Sequence, residues 1–244
     1  MYGMTKFHKW LIIKYIVVPI LGIGVIAVGL FQVSKSRTFQ FFGGLTSSVH
    51  TDQKVVALTF DDAPTEYTSV VLSILSGYGV KATFYAIGKN IESYPEETQA
   101  IIAGGHELGN HSYSHTRMVL KSLTFITNEI EKTSDLLRQA GYSKTITFRP
   151  PNGKKLFLLP YYLSTHSIQT VMWNIEPDTF VHGDSRALTA YTVDHVTPGS
   201  IILLHPLCAN ECQTDREALP MIIDSLRSMG YEFVTVSALL SMGK

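Results

Sequence analysis

At 244 residues the chain is long enough for one large domain or two small ones. Lys+Arg and Asp+Glu both number 20, but Lys6, Lys9, Lys14, Lys35 and Arg37 fall in a stretch without acids, which leaves 15 basic and 20 acidic side chains beyond it, a net of −5. A mildly acidic body with no Lys/Arg-rich block excludes nucleic acid as a partner, since that calls for a basic face.

Residues 1–10 form a short basic N-terminus, expected on the cytoplasmic side. Residues 11–33 follow as a transmembrane anchor: Tyr15 to Val33 is 19 residues without a charge. About 20 residues at 1.5 Å rise span a hydrocarbon core of roughly 30 Å. Lys6, Lys9 and Lys14 before the run and Lys35 and Arg37 after it orient the N-terminus inward and the body outward. A cleaved signal peptide ending near Ala27-Val28-Gly29 is the alternative, although the apolar run exceeds the 7–15 residues usual for a signal. Under the first reading the protein is a single-pass membrane protein with an extracytoplasmic body; under the second it is secreted.

Residues 34–52 are Ser-, Thr- and Gly-containing without a period and read as a linker. From Gln53 to residue 241 the pattern alternates. Apolar β-branched runs occur at Val55–Phe60, Ala82–Ile87, Thr145–Phe148, Thr170–Trp173, Ser200–Leu204 and Tyr231–Val236. Helix-period stretches lie between them, among them Ser69–Tyr78, Pro95–Ala103, Thr124–Ala140 and Glu217–Met229, with Gly77, Gly104, Gly141 and Gly230 as C-terminal stops. Strands alternating with helices indicate parallel βαβ units, an α/β fold. Cys208 and Cys212, the two cysteines, stand four apart; outside the cytoplasm they form a short-loop disulfide or remain two thiols.

Five short segments carry the chemistry: Thr59-Phe60-Asp61-Asp62, His111-Ser112-Tyr113-Ser114-His115, Arg149-Pro150-Pro151-Asn152-Gly153, Trp173 to Glu176, and Leu203-Leu204-His205. Asp62, His111 and His115 can offer a divalent cation one carboxylate oxygen and two imidazole nitrogens, leaving positions open for water as catalytic sites do. Asp61 and His205 are titratable groups flanking that set. Alone, Asp62-Ala63-Pro64 also reads as a turn opening, and His-x-x-x-His as one side of a helical turn. The acidic and basic groups fall just past strand ends, where α/β folds place their active sites. His106, His166, His182 and His195 have no partner at ligand spacing and read as structural or exposed. Lys154-Lys155 reads as a solvated turn, contact with an anionic cell-wall polymer being the alternative, and Trp173 reads as core, with a place in a sugar-binding groove the alternative.

These five segments, in this order, resemble the polysaccharide deacetylase family, the NodB-homology domains of carbohydrate esterase family 4. The likeness covers the whole body. It implies a distorted (β/α) barrel with fewer than eight repeats and a hydrolase that removes N-acetyl groups from a sugar polymer. Asp62, His111 and His115 become metal ligands by this matching, and the set suits zinc but also cobalt, nickel or manganese. Asp61 becomes the base and His205 the acid. Arg149 is then expected to pair with Asp61 and Glu176 to support His205, the plain alternatives being a surface salt bridge and a solvated carboxylate. The Asn152 N–H, aimed by Pro150 and Pro151, is expected to help hold the oxyanion, with Tyr113 near the sugar. The expected substrate is a cell-wall glycan, peptidoglycan or a chitin-like oligomer, met by a monomer at the membrane. An O-acetyl esterase and a catalytically weak glycan-binding module are the competing readings. The chain departs from the family at Asn152, where an aromatic residue is usual, at Glu176, where Asp is usual, and at Thr179-Phe180, where Asp-Trp is usual.

Overall fold

In the computed structural model, which describes residues 10, 11 and 13–243, helix α1 (Ile13–Ser34) precedes an α/β body. The expected cytoplasmic residues before Trp10 lie outside the described part. Helix α1 is long and apolar enough to cross a membrane, with a mean hydropathy of 2.5 over its most apolar window and none of that window buried.

The body is organised around strand β2 (Val55–Ala63), which is buried on both faces through Asp61 and apolar up to Phe60 but for Thr59, as suits a strand covered on both sides. Beside it run β3 (Thr83–Ala86) and β4 (Glu107–Asn110) on one flank and β6 (Ile201–Leu204) on the other, all parallel; β7 (Glu232–Phe233) extends from the start of β2. Single parallel bridges join Asn110 to Phe148, Phe148 to Thr170 and Ile175 to Ile202. They close the sheet through β5 (Thr170–Val171) into the distorted barrel expected. Helices α2 (Thr68–Gly77), α3 (Gly88–Ser93), α4 (Pro95–Ala103), α5 (Leu123–Gln139), α6 (Leu158–Thr165), α7 (Ser185–His195), α8 (Gln213–Ser228) and α9 (Val236–Leu240) connect the strands. Ser122, Asp184 and Thr235 cap α5, α7 and α9 by accepting backbone N–H groups.

Two expected elements differ. Strand β4 replaces what reads as a glycine-rich polar run: its sequence ELGN lacks β-branched residues, and Gly109 is required because a Cβ there would lie 2.4 Å from the Tyr85 ring. Thr145–Phe148 contributes only the bridges at Phe148. The helix stops also shift, with Gly79 and Gly105, rather than Gly77 and Gly104, taking the left-handed backbone.

The linker expected over 34–52 is instead part of the body. Strand β1 (Leu45–Thr46) pairs with β5, and the Gln40 amide donates to Phe42 O, Gly44 O and Thr170 Oγ1 at 2.9, 3.0 and 3.2 Å. The Val49 N–H donates to Gly199 O at 2.9 Å, an approach so close that a Cβ at Gly199 would lie 1.8 Å from Val49 O. Lys155, only 1% exposed, donates its backbone N–H to Ser34 O and its ammonium to Ser36 O, so it is a buried clamp and not part of a solvated turn. Burial lowers its pKa to about 8. The segment has no hydrophobic period because polar backbone contacts hold it. Deleting residues through Asp52 orphans the Lys155 ammonium and the free edge of β5, at about 3 kcal/mol or more. At 2–4 °C per kcal/mol for a chain of this size, such a protein should melt about 10 °C below one beginning at Ser34, by circular dichroism. Equal midpoints would mark the segment as a tether.

Candidate metal centre and active site

A cleft of about 390 Å³ opens at the C-terminal ends of the strands and brings Asp61, Asp62, His111, His115, Asn152 and His205 together. Neighbouring residues of a regular strand face opposite ways. Asp61 and Asp62 nevertheless both reach the cleft. Pairing of β2 with β3 shifts register between Phe60 and Ala63, and Asp62 takes a left-handed backbone with φ 65°. Ser112 and His115 are left-handed too, at φ 66° and 56°. Non-glycine residues hold that conformation at a cost, met here by a polar lattice. The Asn110 side-chain oxygen accepts the Ser112 N–H at 2.8 Å, Ser112 Oγ accepts the His115 N–H at 3.1 Å, and Glu129 accepts the Ser114 N–H at 2.8 Å.

Asp62 Oδ1 lies 3.3 Å from His115 Nε2 and 3.8 Å from His111 Nε2, and the three donor atoms fall within 4.8 Å of one another. Ligand atoms about 2.1 Å from a tetrahedral ion stand about 3.4 Å apart, so the trio fits a shared divalent cation. Two further observations support the fit. Asp62 Oδ1 is buried and has no hydrogen-bond partner among the described residues, an acceptor open to a positive charge. His111 Nδ1 lies 2.7 Å from Arg149 O; donating its proton there leaves the Nε2 lone pair facing the cleft.

Asp61 sits beside this set, its Oδ2 3.4 Å from His111 Nε2. Arg149 is wholly buried and donates to Asp61 Oδ1 and Thr59 Oγ1, both at 2.8 Å, and to the Val171 and Met172 carbonyls at 3.3 and 3.2 Å. Burial pushes the Asp61 carboxyl up, but the Arg149 guanidinium, with the His205 charge beyond it, outweighs burial and holds it below the usual carboxylate range. Asp61 is therefore an anion with one oxygen fixed and the other turned to the cleft.

The partner of His205 differs from the expected one. Asp178 Oδ2 lies 2.6 Å from His205 Nδ1, while Glu176 is paired with Arg37. Glu176 is drawn away because the segment after α1 delivers Arg37 beside it, stacked 4.7 Å over the Trp173 ring. A single turn at Pro177–Thr179 then swings Asp178 toward His205. Burial lowers the imidazole pKa, yet the Asp178 hydrogen bond and the charges of Asp178, Asp61 and Asp62 raise it to about 9. Asp215, also invisible to sequence reasoning, accepts the His205 backbone N–H at 2.9 Å. The sequence does hold an acid two residues from Glu176, but only the fold selects it.

Tyr113 does not line the cleft: its hydroxyl donates to Glu92 at 2.8 Å and Lys132 lies 3.6 Å over its ring. Pro151 is buried and Asn152, left-handed at φ 53°, lines the cleft with its side-chain oxygen accepting from Arg117 at 2.9 Å. Trp173 is 4% exposed and still forms cleft wall. Cys208 and Cys212 are bridged, and Arg216 braces their loop through the Pro206, Cys208 and Ala209 carbonyls. His106 is structural: buried, it accepts the Ala82 N–H at 3.2 Å.

The chain is 34% identical over 191 residues to a peptidoglycan-N-acetylglucosamine deacetylase of Bacillus cereus, covering 78% of this chain and 69% of that one. It is 31% identical to the peptidoglycan-N-acetylmuramic acid deacetylase PdaC of Bacillus subtilis, covering 81% of this chain but 41% of PdaC. The crystal structure of the Bc1960 peptidoglycan N-acetylglucosamine deacetylase superposes with a TM-score of 0.76 at 30% identity, over 81% of this chain and 93% of that one. With a closed parallel barrel, these relatives and a match of residues 48–171 to the profile described as polysaccharide deacetylase, the chain belongs to the polysaccharide deacetylase family.

Proposed function

We propose that this chain is a membrane-anchored, zinc-dependent enzyme that removes N-acetyl groups from the N-acetylglucosamine or N-acetylmuramic acid residues of peptidoglycan. One observation carries the reading: an anion held ionised by Arg149 and an imidazolium held charged by Asp178 flank one set of metal donors. Amide hydrolysis needs both, because water must lose a proton and the departing nitrogen must gain one. The names of the Bacillus relatives support the substrate class. The apolar helix Ile13–Ser34 supports the anchor, with the body on the outer face by the distribution of lysines around it.

When bound, a divalent ion acidifies a water and polarises the acetyl carbonyl. Asp62, His111 and His115 would hold it, and two imidazoles with one carboxylate suit zinc. Asp61 Oδ2, free of Arg149, accepts the proton of the attacking water. Arg149 keeps Asp61 from turning and from being neutral. His205 Nδ1 is committed to Asp178, so the proton on Nε2 is the one available to the leaving nitrogen. The Asn152 N–H is our choice for a donor to the oxyanion, in a turn stiffened by Pro150 and Pro151.

The full chain in detergent, loaded with zinc, should release acetate from peptidoglycan or an N-acetylglucosamine oligomer. Chelation should stop release and added zinc restore it. Elemental analysis should find one ion per chain, lost in His111→Ala. Asp61→Asn should lower kcat by roughly 10² to 10⁴. Wild-type release no greater than that of Asp61→Asn on both glycans would overturn the reading.

A further inference from the structure

The charges of the cleft do not cancel. Asp61 is matched by Arg149, Glu176 by Arg37 and His205 by Asp178, while Asp62 belongs to the metal donors. Two cations of the lining remain, Lys35 from the segment after α1 and Lys154 from the turn after Gly153. Among the described residues neither has a carboxylate within ion-pair distance. Their ammonium groups share one ring, Lys35 Nζ lying 5.1 Å and Lys154 Nζ 5.4 Å from the Phe31 centroid. Like charges gathered on one ring repel unless an anion joins them. Lys154 registers the strain, its pKa lowered by burial first and then by Lys35 and Arg117.

Lys154 belongs to a body that beyond Arg37 is acidic by five charges, 15 basic against 20 acidic, and Lys35 comes to it from the basic stretch before that body. The same wall holds a further donor that has no acceptor among the described residues, the buried Nε1 of Trp173. Beside it Asn152 stands as a polar residue on the rim. Charged walls of a cleft concentrate ligands of opposite sign.

We propose that Lys35 and Lys154 form a subsite for an oxyanion carried by the substrate, so that the enzyme prefers N-acetylated glycans bearing a carboxylate or phosphate near the acetamido sugar. This rests on the deacetylase reading above. Lys35 lies before the stretch that matches the family profile, so the preference belongs to the segment joining helix to barrel. Lysine ammonium groups are point charges that accept either oxyanion, and the test separates the two.

Two substrate pairs decide it with the zinc-loaded full chain in detergent. One is a peptide-free N-acetylglucosamine–N-acetylmuramic acid oligomer and the same oligomer with its carboxylates amidated. The other is a chitin oligomer with and without a sugar 6-phosphate. The anionic member of at least one pair should show a KM about tenfold lower, and which pair does so names the anion. In Lys35→Gln/Lys154→Gln the anionic KM should rise about tenfold and close the gap, while Lys35→Arg/Lys154→Arg keeps it. Equal KM values within both wild-type pairs, or a gap that survives the glutamine variant, overturns the proposal. A glutamine variant that changes only vesicle binding, with the gap intact, overturns it in favour of a lipid headgroup. If no member releases acetate, the deacetylase reading fails separately. Calorimetric binding of the oligomers then decides the subsite: salt-sensitive preference for the anionic member, lost in the glutamine variant, supports it, and equal binding overturns it.

Discussion

Asp178→Asn is expected to bring the alkaline limb of the pH–rate profile down from about 9, whereas Glu176→Gln leaves that limb where it is. The sign follows from the causes acting on His205. A general acid works only while protonated, so a pKa raised to about 9 keeps the wild-type acid charged below that value and loses it above. Burial, the largest influence, favours the neutral ring; the Asp178 hydrogen bond and charge reverse it. Without them the limb should fall toward or below the ordinary imidazole value of about 6.5. At pH 7.5 that leaves about a tenth of the enzyme protonated, a tenfold loss before any loss of orientation. A bound cation lowers the limb in every variant alike, so the displacement between variants is the quantity to measure. Ester substrates, with a better leaving group, should lose less than amides. The His205–Asp178 pair also stabilises the fold at pH below the ordinary imidazole range, and that contribution disappears as pH rises through about 9. Melting points taken across pH should show the slope in wild type and not in Asp178→Asn. Equal limbs in wild type and Asp178→Asn would remove Asp178 from the role, and a limb lowered in Glu176→Gln would give it to Glu176.

The contrast between Asp178 and Glu176 marks where sequence reasoning stops. Asp61, Asp62 and His205 are legible because each stands at or beside the end of an apolar parallel strand, and the barrel brings strand ends to one rim, whereas His111 and His115 show by their spacing and Arg149 by its place in the family's motifs. Which neighbour of Trp173 serves His205 is decided by a one-turn helix in a loop, and by Arg37 taking Glu176 out of competition. Residues 34–52 are opaque for a related reason: backbone carbonyls of Ser34 and Ser36 meeting a buried Lys155 leave no hydrophobic period to read. Strand β4 hides because its Gly109 answers to the Tyr85 ring across the sheet, a partner far away in sequence. Tyr113, between His111 and His115 in the sequence, is oriented by Glu92 and Lys132 on helices that no local pattern connects to it. Chemistry at strand ends is local information; the partners that tune it are not.

Arg149→Met should destabilise the fold by about 3–5 kcal/mol, the cost of leaving one member of a buried ion pair uncompensated. Asp61 is 4% exposed, and Arg149, fully buried, is the group that hydrogen-bonds its Oδ1. At 2–4 °C per kcal/mol the melting point should fall by roughly 10–15 °C. Activity should fall as well, because Asp61 without Arg149 loses the strongest influence opposing its burial and titrates at higher pH. A base must be ionised, so the acid limb of the rate profile moves up. In wild type the depressed Asp61 pKa supplies stability that is present above the ordinary carboxylate range and lost as pH falls through the folded value. The stability gap between wild type and Arg149→Met should therefore narrow on acidification. Arg149→Lys keeps the charge but not the planar fork that reaches Asp61, Thr59 and two carbonyls, so it should fall between the two. The double variant Asp61→Asn/Arg149→Met removes both charges and should recover much of the lost stability while remaining inactive. Additive losses in that cycle, with the double variant less stable than either single one, would mean that Arg149 braces the barrel through the Val171 and Met172 carbonyls and not through Asp61.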